Sequence, residues 1–374
     1  MPVKILDIVW YKFLPARFGG QKGIDGFLTA LSESYEVVVL CSRDNKSEGS
    51  NCYKLLPLLP TGKWQFFNNS YRQLIKKICK EERVTHICIE HPYYARAALK
   101  VGHSLGLPVI IHNHNIESER FKSLGKWWWK IMWYYEGWAC RKAGLNLFKT
   151  NTDKLYAIKH YKLPATKCMV LPYCLPQDHQ ALDKGAAAAA TRKRFQIPAT
   201  NKLLLFNGTL DYGPNAKAVE RIYKNIVPLL QALSPWPFTI LICGRNELPA
   251  FNYLEQLHHP MVQQTGVVEN IETLVAAADL FINPVLEGGG IKTKIIDALG
   301  QHTTVVSFAS GAFGIDTDCT GGKLQLCTDG DYVQFVQFIV SALQKEIVLT
   351  PQAFFDSFKW QRYIDALGSR YFDR

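Results

Sequence analysis

Short, almost unbroken apolar runs recur along the chain, separated by stretches with helical spacing. In the first half they are VKILDIV from Val3, EVVVLC from Glu36, THICIE from Thr85, PVIIH from Pro108 and LNLFKT from Leu145. In the second half they are KLLLFN from Lys202, FTILIC from Phe238, LFINPV from Leu280 and TVVSF from Thr304. Runs that are apolar at every position, not at alternate ones, predict parallel strands covered on both faces. Two successive sets of strand and helix alternation predict an α/β chain with two doubly wound domains. KGAAAAATRKRFQIP, a helical alanine run with a basic cluster, lies between the sets and puts the boundary within 175–200.

Composition agrees with this plan. The 374 residues, 48% hydrophobic and 20% charged, are enough for two cores. No apolar run is long enough to span a bilayer, and MPVKILDIVW lacks the basic, apolar and small-residue order of a signal peptide. The ten cysteines form no C-x-x-C pair and mostly fall in apolar stretches, which predicts reduced thiols in a cytoplasmic protein. Charge is one-sided: residues 1–180 carry 26 lysines and arginines against 14 acids, and residues 181–374 carry 17 against 18. Such asymmetry suggests that one domain meets an anionic partner; a solvated basic face is the plain alternative.

Open parallel sheets bind ligands beyond the carboxyl ends of their strands, so two facing domains predict a cleft lined by strand-to-helix loops. EGGGIKTKIIDALG, residues 287–300, falls at such a loop, after the strand LFINPV. Glycine lets backbone approach an anion, free amides at a helix start point toward it, and Lys292 and Lys294 add full charges. This is the composition of a diphosphate cradle, although a flexible turn before a surface helix would have the same spacing. The chain has no G-x-x-x-x-G-K-[ST] run and no G-x-G-x-x-G after its first strand, which argues against nucleotide hydrolysis and hydride transfer. Two D-x-D triplets, Asp316/Asp318 and Asp329/Asp331, lie in turn-like sequence and are expected to be surface turns, not metal ligands.

NPVLEGGGIKTKIIDALGQHTTVVSFASGAFGI resembles the donor-site signature of the group 1, family 4-like glycosyltransferases of the GT-B fold, in a GGG-x-K-x-K form. FNGTLDYGPNAKAVERIYKNIVPLL, ICGRN and TGVVENIETLVAAADLFINP resemble segments of their second domain. FGGQKGIDGFLTALSESYEVVVLC, IHNHNIESERF and YYEGWACRKAGLNLFKTNTDK resemble the glycine loop, histidine loop and glutamate helix of their first. The resemblance implies two facing Rossmann-like domains with an interdomain cleft: an acceptor-binding domain at 1–180, a donor-binding domain at 181–355, and a closing helix at 356–374 that crosses back to the first. It also implies a retaining, hexosyltransferase-like enzyme that moves sugar from a nucleotide-sugar donor to a glycan or lipid-linked acceptor. That places it in polysaccharide or glycoconjugate biosynthesis, with no metal or other cofactor.

Site roles follow the same resemblance. Lys292 and Lys294 would hold the diphosphate, and Gly288, Gly289 and Gly290 would let the backbone approach it. Asp297 stands where the family keeps a glutamate for the ribose hydroxyls, one methylene shorter. Gly208 and Val268 fall in donor-binding segments, and Gly19 and Gly20 in the loop after the first strand. His114 takes the position of a first-domain catalytic histidine near the donor sugar, with His112 as runner-up; Glu287 would contact sugar hydroxyls. An imidazole at His114 could donate to a hydroxyl or to the departing phosphate, and could exchange a proton. NGTLDYGPNAK lacks the arginine that many family members use to clamp the diphosphate, and its first lysine is Lys217.

GKWWWKIMWYYEGW, from Gly125, puts Trp127, Ile131, Tyr134, Tyr135 and Trp138 on one broad helical face flanked by Lys126 and Lys130. Together with the basic first half, this suggests a peripheral contact with the anionic cytoplasmic face of a membrane; a helix buried within the domain is the alternative. Two other classes remain: a degenerate GT-B protein that binds sugar or a partner without turnover, and a nucleic-acid binder. The second lacks any recognisable motif, and no nucleic-acid partner is expected.

Overall fold

The structure, a computed structural model, describes residues 2–46, 52–61 and 70–373. The described chain falls into two compact units: Met1–Gln177 with Gly289–Ile291 and Phe358–Arg374, and Asp178–Gly288 with Lys292–Ser357. Each is a parallel sheet flanked by helices, so the protein has two Rossmann-like domains.

In the first unit the strands are β1 (Lys4–Val9), β2 (Glu36–Ser42), β3 (Lys54–Leu59), β4 (His86–Glu90), β5 (Val109–Asn113), β6 (Leu145–Phe148) and β7 (Cys168–Val170). They are ordered β3-β2-β1-β4-β5-β6-β7. Along β1, Ile5 and Val9 join a core with Phe27 and Leu145, while Leu6 and Ile8 join another with Ile87 and Ile111. A strand that feeds two cores is apolar on both faces, and β1 is so between Ile5 and Val9 except for the buried Asp7. The helix Trp360–Leu367 belongs to this unit: Trp360, Ile364 and Leu367 lie in the first core, with Trp360 1% exposed.

The second unit contains β8 (Lys202–Asn207), β9 (Phe238–Cys243), β10 (Val262–Gly266), β11 (Leu280–Asn283), β12 (Val305–Phe308) and β13 (Leu324–Cys327), ordered β10-β9-β8-β11-β12-β13. Leu204, Phe206, Ile240, Ile242 and Ile282 pack with Phe335 and Ile339 on one face.

The D-x-D residues make turns and caps. Asp329 accepts from the Ser310 amide, Asp331 from the Gln334 amide at a helix start, and Asp316 from the Asp318 amide. Cys52 is exposed and Cys319 half-buried, and the remaining cysteines are buried.

The aromatic stretch divides, contrary to the single face expected of it. In the helix Trp129–Lys142, Tyr135 and Trp138 pack against the core, and the Tyr135 hydroxyl donates to the Tyr93 carbonyl. Trp127, Ile131 and Tyr134 face away from the core, 83%, 65% and 68% exposed. Among the described residues, no helix is long and apolar enough to cross a membrane.

Candidate functional site

In the second unit, β11 runs into the glycine loop, and the helix Thr293–Gly300 follows with Lys292 as its N-cap residue. The Lys292 side chain makes no cap hydrogen bond; its ammonium donates to the Gly288 carbonyl at 3.3 Å. Lys294 reaches the carboxyl end of β8 and donates to the Asn207 carbonyl at 3.0 Å and to Asn215 Oδ1 at 3.1 Å. Its ammonium lies 4.3 Å from the Phe206 ring centre. Asn215 in turn donates to the Thr209 carbonyl, and a Cβ on Gly208 would fall 2.7 Å from Asn215 Nδ2. Gly208, Asn215 and Lys294 therefore converge. Among the described residues Lys294 has no carboxylate partner. Burial, followed by the charge of Lys292, pulls its ammonium well below the usual lysine range.

The glycines of the loop differ in what they require. Gly288 and Gly290 have φ of +94° and +71°, whereas a Cβ on Gly289 would meet nothing closer than 4.0 Å. Gly290 counts with the first unit, where a Cβ on it would fall 2.0 Å from Asn115 Oδ1. Only the outer two glycines are therefore required by the backbone.

Glu287 is already occupied. Arg221, at the end of the helix Gly213–Arg221, grips it with both terminal nitrogens at 3.0 and 2.5 Å, and Lys217 stands 3.5 Å away. Burial alone would raise the Glu287 carboxyl, but the Arg221 hydrogen bonds and charge, with Lys217, hold it below the usual range. NGTLDYGPNAK still supplies no arginine; Arg221, one turn after Lys217 on the same helix, is paired with Glu287. Asp297 is half-buried on the helix that follows the loop.

Near Gly208, a cavity of about 350 Å³ opens at the carboxyl ends of β9 and β10, lined in part by Leu210, Gly244, Asn246, Glu255, Gln264 and Val267. Half-buried Val268 follows directly after Val267. An Asp211–Arg245 ion pair at 3.1 Å borders the cavity, and Asp211 also accepts from the Glu247 and Leu248 amides. The lining mixes apolar and amide-bearing groups with the charged Arg245, Glu247 and Glu255, a composition that could hold a heterocycle with polar edges.

In the first unit the polar residues gather at the carboxyl ends of β4 and β5. Glu90 and His112 are partners in register; Glu90 Oε1 lies 2.8 Å from His112 Nδ1, and Glu90 Oε2 is in close contact with His114 Nε2. His91 stacks on His114 with ring centres 4.3 Å apart. Burial, then the neighbouring His91, pushes the His114 imidazole well below its ordinary value; burial does the same to His112. His112 is wholly buried and His114 slightly exposed, so His114 is the one able to meet a ligand. Glu117 beside them pairs with Arg120 and accepts from the Tyr93 hydroxyl. Glu136, in the glutamate-helix segment, is a buried cap that accepts from the Glu117 and Ser118 amides at 2.9 and 3.0 Å. Gly19 and Gly20 open the helix Gly19–Ser32, and a Cβ on Gly20 would only touch the Tyr11 hydroxyl at 3.9 Å.

Sequence reasoning missed Glu90, Asn215 and Arg221 as members of these sites. An acid closing the apolar run THICIE was the one signal available for Glu90.

The family model described as glycosyl transferases group 1 matches residues 201–345, and that described as glycosyltransferase family 4 matches residues 19–176. The chain belongs to the group 1 glycosyltransferases and has the GT-B fold. Similar solved structures include sucrose-phosphate synthase from Thermosynechococcus elongatus, 14% identical over 99% of this chain and 98% of that one, with a TM-score of 0.76. A glycosyltransferase from Rickettsia africae is 14% identical over 99% of this chain and 98% of its own, with a TM-score of 0.72. Anabaena HepE in complex with UDP and glucose is 14% identical over 99% of each chain, also with a TM-score of 0.72. No curated protein matches the chain by sequence.

Proposed function

We propose that the chain transfers a hexosyl group from a nucleoside diphosphate sugar, with uridine the first base to test, to a glycan or lipid-linked acceptor. The observation that carries this reading is Lys294, a desolvated ammonium held by two neutral oxygens beside a second lysine. Such a site has excess positive charge, and a departing diphosphate is the anion whose charge grows during the reaction. The C1–O bond to the diphosphate breaks, the acceptor oxygen bonds to C1, and the acceptor proton leaves with the phosphate. Lys292, Lys294 and the amides at the helix start would meet that charge without requiring a divalent ion. The cavity beside Val267 would take the base. The solved complex of HepE with UDP and glucose is the reason for choosing uridine first. Retention of anomeric configuration is part of the proposal and is read from the product by NMR.

The test is a thermal-shift screen of UDP, GDP, ADP, TDP and CMP sugars without metal, on the wild type and Lys292→Ala. Stabilisation by one nucleotide class, lost in the variant, is expected. If no nucleotide sugar shifts the wild type, the reading fails and a fold kept without donor binding takes its place.

A lipid-linked acceptor in a polysaccharide or glycoconjugate pathway is favoured by Trp127, Ile131 and Tyr134. They are exposed beside Lys126 and Lys130 in the half of the chain that holds all the excess positive charge. Aromatic and basic residues arranged this way suit an anionic membrane surface at the cytoplasmic face.

A further inference from the structure

We infer that Glu90 is a positioning residue that locks His114 in its Nε2–H tautomer and leaves Nδ1 as a hydrogen-bond acceptor. The inference takes the proposed transfer as given when it assigns a use to that nitrogen, but the geometry stands apart from it.

Glu90 is 1% exposed, and each of its oxygens serves one imidazole: Oε1 meets His112 Nδ1 and Oε2 meets His114 Nε2. An ionised carboxylate can only accept, so both facing nitrogens must carry hydrogens. His112 is then the Nδ1–H tautomer, and its Nε2 is a buried lone pair with no partner among the described residues. His114 is the Nε2–H tautomer. Its ring cannot turn freely to exchange nitrogens, because His91 stacks on it at 4.3 Å and His112 lies 4.5 Å from it.

The proton could instead sit on Glu90, but a better host is nearby. Asp7 on β1 is fully buried, against the Cys88 thiol and the Ile8 backbone. Burial, then the neighbouring Glu90, pushes Asp7 well above the usual carboxyl range, so Asp7 is the carboxyl of this buried group that keeps a proton. Lys149 at the end of β6 adds positive charge on the same side: burial pulls it down to about 8, and the attraction of Glu90 opposes that shift.

The consequence revises the sequence expectation that His114 could donate to the departing phosphate. A neutral Nε2–H imidazole offers Nδ1 as a lone pair only. It can accept from a sugar or acceptor hydroxyl and orient it, and it cannot donate to phosphate without first taking up a proton.

Nitrogen-15 NMR of histidine-labelled protein at neutral pH, in the presence of EDTA, reads the tautomer directly. The expected spectrum shows His114 protonated at Nε2 and bare at Nδ1, and His112 the reverse. In Glu90→Gln the amide presents one acceptor and one donor, so one of the two rings should lose its tautomer preference. An Nδ1–H or doubly protonated His114 in the wild type would overturn the inference, as would an unchanged spectrum in a folded Glu90→Gln. The wild-type spectrum alone decides the first point if the variant does not fold. Zinc titration is the second control: stoichiometric binding lost in His112→Ala would make Glu90 a metal ligand and also overturn the inference. The spectrum needs no sugar nucleotide, so failure of donor binding would defeat the transfer reading and leave the tautomer result intact.

Discussion

Lys294→Met separates the charge of the cradle from its packing. Methionine keeps an apolar stem near the Phe206 ring and removes the ammonium that now lies 4.3 Å from it. Without ligand the variant loses two hydrogen bonds from a charged donor, each worth about 1.5–3 kcal/mol. It also escapes the cost of holding that donor out of water beside Lys292, so the two effects oppose and the unliganded melting temperature should move by only about 3 °C. With a diphosphate bound the balance changes. One charge pair at ~4 Å is worth about 4 kcal/mol at an effective dielectric constant of ~20. Partial solvent access lowers this to about 2–3 kcal/mol, or about 30- to 150-fold in Kd. At a UDP concentration ~100 times the wild-type Kd, the wild type gains about 2.7 kcal/mol, and a variant with a ~100-fold weaker Kd gains about 0.4 kcal/mol. Scanning fluorimetry reads the difference and calorimetry gives Kd. The sign of the pH dependence follows from the depressed Lys294. The unfolded lysine binds its proton more tightly than the folded one, so this group's penalty on the unliganded fold is full below the depressed folded value and fades as pH rises from there to the ordinary lysine range. A bound diphosphate favours the protonated ammonium, so UDP should bind more weakly as pH rises above the depressed Lys294 value, and Lys294→Met should flatten that slope. UDP binding by the variant within about threefold of wild type would refute the reasoning.

Gly290→Ala forces a side chain into a backbone of φ +71° and to within 2.0 Å of Asn115 Oδ1, so it should cost about 1–3 kcal/mol at the loop and weaken donor binding. Gly289→Ala, with open space out to 4.0 Å, should leave both almost unchanged, and equal effects from the two in paired calorimetry would count against the loop geometry. Replacing Trp127 and Ile131 together by glutamate should leave the melting temperature unchanged, because both side chains are exposed. The same pair should abolish sedimentation with phosphatidylglycerol vesicles at low salt; no association by the wild type under those conditions would sink the membrane reading.

The apolar runs that announced strands and those that did not differ by position in the sheet. β3, β7, β10 and β13 escaped notice, and these are the two edges of each sheet. An edge strand has a neighbour on one side only and is often less buried, so it carries less of the continuous apolar signature; KLLPLL in β3 is largely exposed and includes Pro57, which an edge tolerates. The interior strands had no such latitude and were legible throughout.

The site divides along the same line. Local sequence was enough to mark 287–300 as a candidate anion-binding loop, because glycine conformation, helix-start amides and lysine charge are properties of neighbouring residues. It was also enough to single out the pair His112 and His114 at the end of β5. What each charged group does there was decided by residues far away in the chain. Glu287 is neutralised by Arg221, 66 positions earlier; Lys294 is turned toward β8 by Asn215, 79 positions earlier; and His114 is set by Glu90, 24 positions earlier. A sequence records which charges and backbone freedoms are available. Pairing, desolvation and tautomer depend on which groups come within ~3 Å in a medium where water no longer screens them, and only the tertiary structure determines that.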